Sequence, residues 1–305
     1  MSPDLVIDID GVTIRYGRVM AVDDLSLQVA RKSVYALLGR NGSGKSSTVR
    51  CLLGQRRTSS GAIRVLGLDA WSARRRVMEH VGVVPENPDV PPETTAVEVA
   101  KFMARVTPRW GSQKFFDWLD EFGVPKKQRF NRLSKGQQRQ LSLALALAGE
   151  PKVLVLDDPT LGLDAVARRD LYQELVGDLA DRGTTVFLTT HDLAGVEAIA
   201  DRVGVLREGK LMIDEPMEAL KMRFCRLIWT SGENVPKEKI EAGLKHLDVV
   251  ATEQLGGTGE AVVGGFSEVG FGRFRETAAV EVMRVDSLSL EEIFVVLCGE
   301  EGTKP

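Results

Sequence analysis

The chain has 305 residues and a formal net charge of −3 at pH 7. That length carries one large domain plus a small one, with ample chain for a buried core. The near-balanced charge gives no reason to invoke nucleic acid or an anionic bilayer as partner.

The N-terminus, MSPDLVIDID, is acidic where a secretory leader needs basic residues. The longest apolar run, LSLALALA at 141–148, is far too short to cross a bilayer. The expectation is a soluble chain, held at a membrane by another protein if it works there. Three scattered cysteines, Cys51, Cys225 and Cys298, lack metal spacing and read as reduced thiols.

Residues 4–9 and 12–15 alternate apolar and polar, which predicts a strand pair. A further strand is expected at 25–30. Residues 33–39 (SVYALLG) predict a buried strand ending in glycine, 46–55 have helical spacing, and 76–86 read as a short helix running into a strand. From 88 to 132 prolines give way to helical periods holding Trp110, Phe115 and Trp118, a helical insertion whose aromatics read as its own core. Residues 135–149 predict an amphipathic helix closing on glycine. A buried strand at 152–158, a helix at 165–181, a strand at 184–190 and a hairpin at 203–212 turning on Glu208-Gly209 follow. The arginine run Arg74-Arg75-Arg76 reads as a solvated helix face.

Strands apolar on both faces, alternating with helices, argue for a parallel sheet covered by helices. Beyond about residue 220 the texture changes. Short strands are expected at IWT (228–230), DVVATEQL (248–255) and AVEVMRV (279–285), and short helices at 236–247 and 289–297. The glycine-rich stretch 256–272 reads as turns. The predicted organisation is a main domain over 4–220, with its helical subdomain at 88–132, and a small α+β domain over 221–305.

GRNGSGKS, from Gly39 to Ser46, fits the phosphate-loop pattern G-x-x-x-x-G-K-[ST] in its required context, after a buried strand and before a helix. Its residues Gly39, Arg40, Asn41, Gly42, Ser43 and Gly44 leave backbone N–H groups free to curl around phosphate oxygens. The helix that continues through Ser47 adds its positive dipole end. Lys45 is placed for the β and γ phosphates and Ser46 for Mg2+. Downstream, LVLDDP runs a buried strand into Asp157 and Asp158, at the end of a parallel strand where ligands collect. Asp157 then holds Mg2+, directly or through water.

A phosphate loop, LSKGQQRQ at 133–140 before a long helix, LVLDDPTLGLD, and TTHD at 189–192 occur in an order and spacing that resemble the nucleotide-binding subunits of ABC transporters. The resemblance covers roughly residues 4–220. It implies an α/β fold of the P-loop NTPase (ABC ATPase) type, with a parallel core sheet, an N-terminal antiparallel β-subdomain, a helical insertion and, here, the small C-terminal domain. It implies ATP and Mg2+ as cofactors. Tyr16 matches the aromatic that stacks on adenine. Glu86 matches the Q-loop residue that contacts Mg2+ and the attacking water; most members carry glutamine there and many exporters glutamate. Ser134, Gly136 and Gln137 belong to the signature that closes on the γ-phosphate of a nucleotide held by the other subunit, with Lys135 in place of the usual second glycine. Asp164 matches the D-loop that couples the two sites, and His191 the switch histidine.

One phosphate loop and one signature make half of each site. The resemblance therefore implies a dimer around ATP, expected as a homodimer with a heterodimer as the alternative. PE in the Q-loop, LSKGQ, PTLGLDAVARR and the terminal SLEEIF resemble ABC-2-type exporters. Residues 88–132 would then meet an integral membrane permease, with the ATPase peripheral on the cytoplasmic face. The alternatives are a soluble ABC ATPase acting as scaffold or switch, and a degenerate half of a heterodimer. Asp158 stands where the family has its catalytic glutamate. It is one methylene shorter, a shortfall of roughly 1 Å, and misplacement on that scale costs about a hundredfold in rate unless a water or Glu86 compensates.

Overall fold

In the computed structural model, which describes residues 4–107, 110–163, 165, 167–169, 171–173, 183–231, 235–255 and 258–298, the alternation near the N-terminus builds one strand rather than two. Strand β1 (Leu5–Tyr16) runs unbroken and pairs antiparallel with β2 (Val19–Ala30). The inward apolar positions change phase between Ile9 and Val12, which reads as a gap in sequence. A bulge absorbs it: Gly11 takes φ 56° and the register shifts there on both neighbours of β1. Ile7, Ile9, Val12 and Ile14 all stay buried.

Strand β3 (Val34–Leu38) leads to helix α1 (Lys45–Leu52). Then β4 (Ser60–Val65) and β5 (Leu68–Asp69) complete a four-stranded sheet of order β2-β1-β4-β5. Gly61 lets β4 approach β1: a Cβ there would meet the carbonyls of Asp10 and Gly11. A six-stranded sheet of order β10-β9-β3-β8-β7-β6 stands beside it. Here β6 is Val81–Val84, β7 Val153–Asp157, β8 Thr185–Thr190, β9 Arg202–Arg207 and β10 Lys210–Pro216. Strands β6, β7, β8, β3 and β9 pair in parallel. The β9–β10 hairpin turns on Glu208-Gly209 at φ 50° and 82°, the positive pair a tight two-residue turn requires. One cluster of buried side chains draws on β1, β2, α1, β4, β3, β7 and β8, so α1 is clamped by both sheets.

Helix α2 (Arg74–Met78) precedes β6, and its three arginines are exposed. The insertion holds α3 (Ala96–Val106) and α4 (Ser112–Glu121). Thr95 and Glu98 form a capping box that starts α3. Phe115 and Trp118 fill the insertion's core. Helix α5 (Lys135–Leu147) returns along β6 to β7. The helix expected at 165–181 lies largely outside the described residues.

The chain divides into two compact units, Met1–Asp214 and Glu215–Pro305. In the second, β11 (Cys225–Thr230), β12 (Val249–Leu255), β13 (Thr258–Val263) and β14 (Glu281–Ser287) form an antiparallel sheet of order β12-β13-β11-β14. Taking α6 as Leu193–Ile199, described below, its helices are α7 (Met217–Arg223), α8 (Lys237–Leu244), α9 (Glu268–Ala278) and α10 (Leu290–Cys298). The expectation of turns across 256–272 is corrected: β13 and the start of α9 lie there. The glycines mark close packing instead. A Cβ on Gly259 would strike the ring of Trp229, which is fully buried and meets Phe274 edge-on at 5.4 Å.

Candidate functional site

The parallel register brings the C-terminal ends of β3, β7 and β8 together, with Leu38 opposite Thr190 and Asp157 opposite Thr189. The loop Gly39–Gly44 leaves β3 at this end and feeds α1. Gly39 admits no side chain, since a Cβ would meet Ser43 Oγ and the Leu206 carbonyl. Gly44, the residue before α1, has φ 111° and packs its backbone on Ala21. Arg40, Asn41 and Gly42 form the exposed crest; Ser46 and Ser47 are half-buried on the first turn of α1.

Lys45 is buried, and its ammonium donates to the carbonyls of Gly39 at 2.6 Å and Arg40 at 3.2 Å. Burial lowers its pKa, opposed by the negative charges of Asp158, Asp157 and Glu86. Those three carboxylates thus share one neighbourhood with the loop lysine. Ser43 Oγ is buried in the loop without a hydrogen-bond partner.

Asp157 ends β7, and its Oδ1 accepts from Thr189 Oγ1 at 2.6 Å. Asp158 turns the chain with φ 47°, its N–H donating to the Thr189 carbonyl. Its Oδ1 accepts from Thr190 Oγ1 at 3.3 Å, and its Oδ2 lies 2.8 Å from His191 Nδ1. His191 is half exposed just beyond β8, before α6 (Leu193–Ile199) begins. Glu86 follows β6 by two residues, half-buried.

Ser134 caps α5. Its Oγ accepts from Gln137 N–H, and Gln137 Oε1 accepts from Ser134 N–H, each at 3.1 Å. Ser134 and Lys135 are exposed, and among the described residues no hydrogen bond or ion pair joins Ser134, Gly136 or Gln137 to the phosphate loop. Tyr16 ends β1, with the Arg56 guanidinium 3.9 Å over its ring. Asp164 lies outside the described residues.

Three side chains at the site escaped the sequence reading. Thr189 and Thr190 hold the two aspartates; parallel pairing of 152–158 with 184–190 was the signal for them. Arg139, on α5, donates from Nη1 to the Pro85 carbonyl at 2.7 Å and from Nη2 to the Glu86 carbonyl. Its signal was a charge on the stripe that holds Leu143 and Ala146, both buried.

The ABC transporter family model matches residues 22–161. The Nod factor export ATP-binding protein I of Neorhizobium galegae is 33% identical over 311 residues, covering 99% of this chain and 88% of that protein. The bacitracin transport ATP-binding protein BcrA of Bacillus licheniformis is 32% identical over 221 residues, 72% of each. The solved structure of CbiO1 from Clostridium perfringens, described as part of an ABC transporter complex, matches with a TM-score of 0.63 at 26% identity, over 71% of this chain and 90% of that one. Identity sustained along nearly the whole length, on the same fold, makes this chain a member of the family of ABC transporter ATP-binding subunits.

Proposed function

We propose that this chain is the ATP-hydrolysing subunit of an ABC-2-type exporter, working as a homodimer around two Mg-ATP against a separate membrane permease. The observation that carries the reading is the parallel register that sets the phosphate loop, leaving β3 after Leu38, beside Asp157 and Asp158 at the same end of the sheet, where their charges act on the buried Lys45. A cation and a nest of N–H groups take the triphosphate, and carboxylates beside them take a divalent cation and a water.

The residues fit both groups. The unpartnered Ser43 hydroxyl suits a phosphate oxygen, and Gly39 and Gly44 let the loop backbone curl tightly against Leu206 and Ala21, the form in which its N–H groups can turn toward an anion. For Mg2+ the chain offers hard oxygens at Ser46, Asp157 and Glu86, and among the described residues no cluster of three or more His, Cys, Asp or Glu. That sparse set suits an ion that keeps waters and phosphate oxygens as its other ligands. When bound, Mg2+ neutralises charge on the phosphates. Asp158 orients the attacking water and takes its proton, with His191 and Thr190 fixing the carboxylate. Tyr16 is assigned to stack on adenine, which requires the Arg56 guanidinium 3.9 Å over its ring to move aside or to share the base. Ser134, Gly136 and Gln137 stand at a helix N-terminus where a second copy's γ-phosphate would be received. Asp164 is assigned to the contact between the two sites.

The names of the relatives, transport of bacitracin and export of Nod factor, support export. The relatives' roles as transport ATP-binding proteins support a peripheral place on the cytoplasmic face, held there by the permease; no helix among the described residues is long and apolar enough to cross a membrane. Phe102 and Val106, exposed on α3, give residues 88–132 apolar surface for the permease. A second reading rests on Asp158 alone: a chain with so short a carboxylate is a slow catalyst, or the ATP-holding half of a heterodimer. Steady-state hydrolysis and oligomeric state, with and without Mg-ATP, test both. Turnover with an ATP-dependent dimer is expected; ATP binding by a chain that neither dimerises nor turns over supports the second reading.

A further inference from the structure

Arg139 is buried, with 6% of its surface exposed, yet among the described residues no carboxylate pairs with it directly. Its guanidinium is spent on the carbonyls of two consecutive residues, Pro85 and Glu86. The carboxylates of Asp158 and Glu86 act on it through space, and burial opposes its charge. Placing a full charge in such a position to bind two carbonyls is an expensive way to anchor a loop. A neutral amide would bond one of them at lower desolvation cost. The planar fork holds both carbonyls in fixed mutual geometry, which an ammonium does not, and keeps a positive charge within electrostatic range of Asp158 and Glu86, which an amide does not.

The elements joined are the point. Arg139 sits on the second turn of α5, the helix that Ser134 caps. Glu86 sits just past β6. A displacement of α5 would therefore reach the backbone of Glu86 through this one guanidinium. Resting on the proposed role of Glu86 at the metal and water, we propose that Arg139 is a positioning residue for hydrolysis, setting where the Glu86 carboxylate stands relative to Asp157 and Asp158 and coupling that placement to the signature-bearing helix.

The test is a double-mutant cycle in the full chain, using Arg139→Met and Arg139→Lys with and without Glu86→Ala. Three quantities are read: kcat, affinity for a fluorescent ATP analogue, and amide hydrogen exchange of residues 84–90 without nucleotide. Arg139→Met is expected to lower kcat about tenfold or more, with analogue affinity held within about threefold. Exchange at 84–90 rises. Arg139→Lys, keeping charge but not the fork, falls between. In the Glu86→Ala background Arg139→Met costs less than about twofold, because the residue it acts through is gone. Equal losses in both backgrounds overturn the inference by making Arg139 a general structural anchor, as does an unchanged kcat in Arg139→Met. If Glu86→Ala alone leaves kcat unaltered, the assigned role of Glu86 fails and the inference with it. If Glu86→Ala lowers kcat and the cycle is additive, only the inference fails.

Discussion

Oδ2 of Asp158 lies 2.8 Å from Nδ1 of His191 while its Oδ1 takes the hydroxyl of Thr190, so both oxygens of the shortened carboxylate are held. The backbone at Asp158 is left-handed, φ 47°. Aspartate and asparagine tolerate that region better than glutamate does. Side-chain length and backbone conformation are thus linked. Asp158→Glu is expected to raise kcat, by up to about a hundredfold if reach is what limits. It lowers stability by about 0.5–1 kcal/mol through the less favoured φ. Asp158→Asn keeps the conformation but removes the base, and kcat falls at least about a hundredfold while ATP affinity holds. Stopped-assay kinetics, nucleotide titration and thermal melts on the same three proteins check this; kcat unchanged in both variants would falsify the catalytic role.

Lys45 predicts opposite signs for binding and stability. Burial outweighs the three carboxylates and lowers its pKa in the fold. A lysine whose folded pKa lies below its unfolded value opposes folding wherever it is protonated, and that opposition fades as pH rises through the folded pKa. Lys45→Met should therefore leave the melting temperature of the nucleotide-free chain equal or higher at neutral pH. ATP affinity should fall about a hundredfold, the worth of charge-assisted bonds to phosphate. Calorimetric melts beside nucleotide titrations separate the two effects. A large loss of stability would mean that the ammonium is chiefly a structural strut for Gly39 and Arg40.

The loop at 39–46 was legible because it is a backbone requirement. Phosphate approach demands glycine at set spacings, and a strand and a helix must flank it. Asp157 and Asp158 were legible from strand period and position. Arg139 was not, because helical periodicity sorts residues by face and treats a charge as solvated. Only the fold shows β6 running close enough to α5 for that charge to find two carbonyls. Gly11 misled in the same local way, since a one-residue phase change looks like a break until a bulge is seen to absorb it. Glycines at 256–272 read as turns because conformational freedom is their commoner use. At Gly259 the reason is the absent side chain.

Two glycines of that stretch should respond oppositely to alanine. A Cβ on Gly259 runs into the buried ring of Trp229, where β13 pairs with β11. Gly259→Ala should destabilise the chain by about 1–3 kcal/mol, the usual range for overpacking a core. Gly272, within α9, has nothing within 4 Å of its Cβ position. Gly272→Ala should stabilise by about 0.5–1 kcal/mol through helix propensity and a stiffer unfolded chain. Urea unfolding of both variants, followed by Trp fluorescence, compares them. Equal and small effects would show that Trp229 can shift to make room.

Glu292 supplies a pH-dependent contribution in the same unit. Its Oε2 accepts from Ser289 N–H at 2.9 Å and Ser289 Oγ at 2.8 Å, and its Oε1 from Arg226 Nη2 at 2.8 Å. The Ser289 bonds, then the arginine, hold its carboxyl below its ordinary value of 4.5. A carboxylate depressed in the fold lends stability above its unfolded pKa and loses it as pH falls through the folded one. Glu292→Gln should therefore lower stability at pH 7 by about 0.5–1 kcal/mol, the scale of a capping interaction discounted for a side chain left 39% exposed. The gap between the two proteins should close as pH is taken below 4.5 and through the lower folded value. Urea midpoints at pH 7, 5 and 3.5 measure it. A gap that stays constant over that range would assign the effect to the acceptor oxygen that glutamine replaces with an NH2 group, at Ser289 or Arg226, rather than to the charge that acid removes.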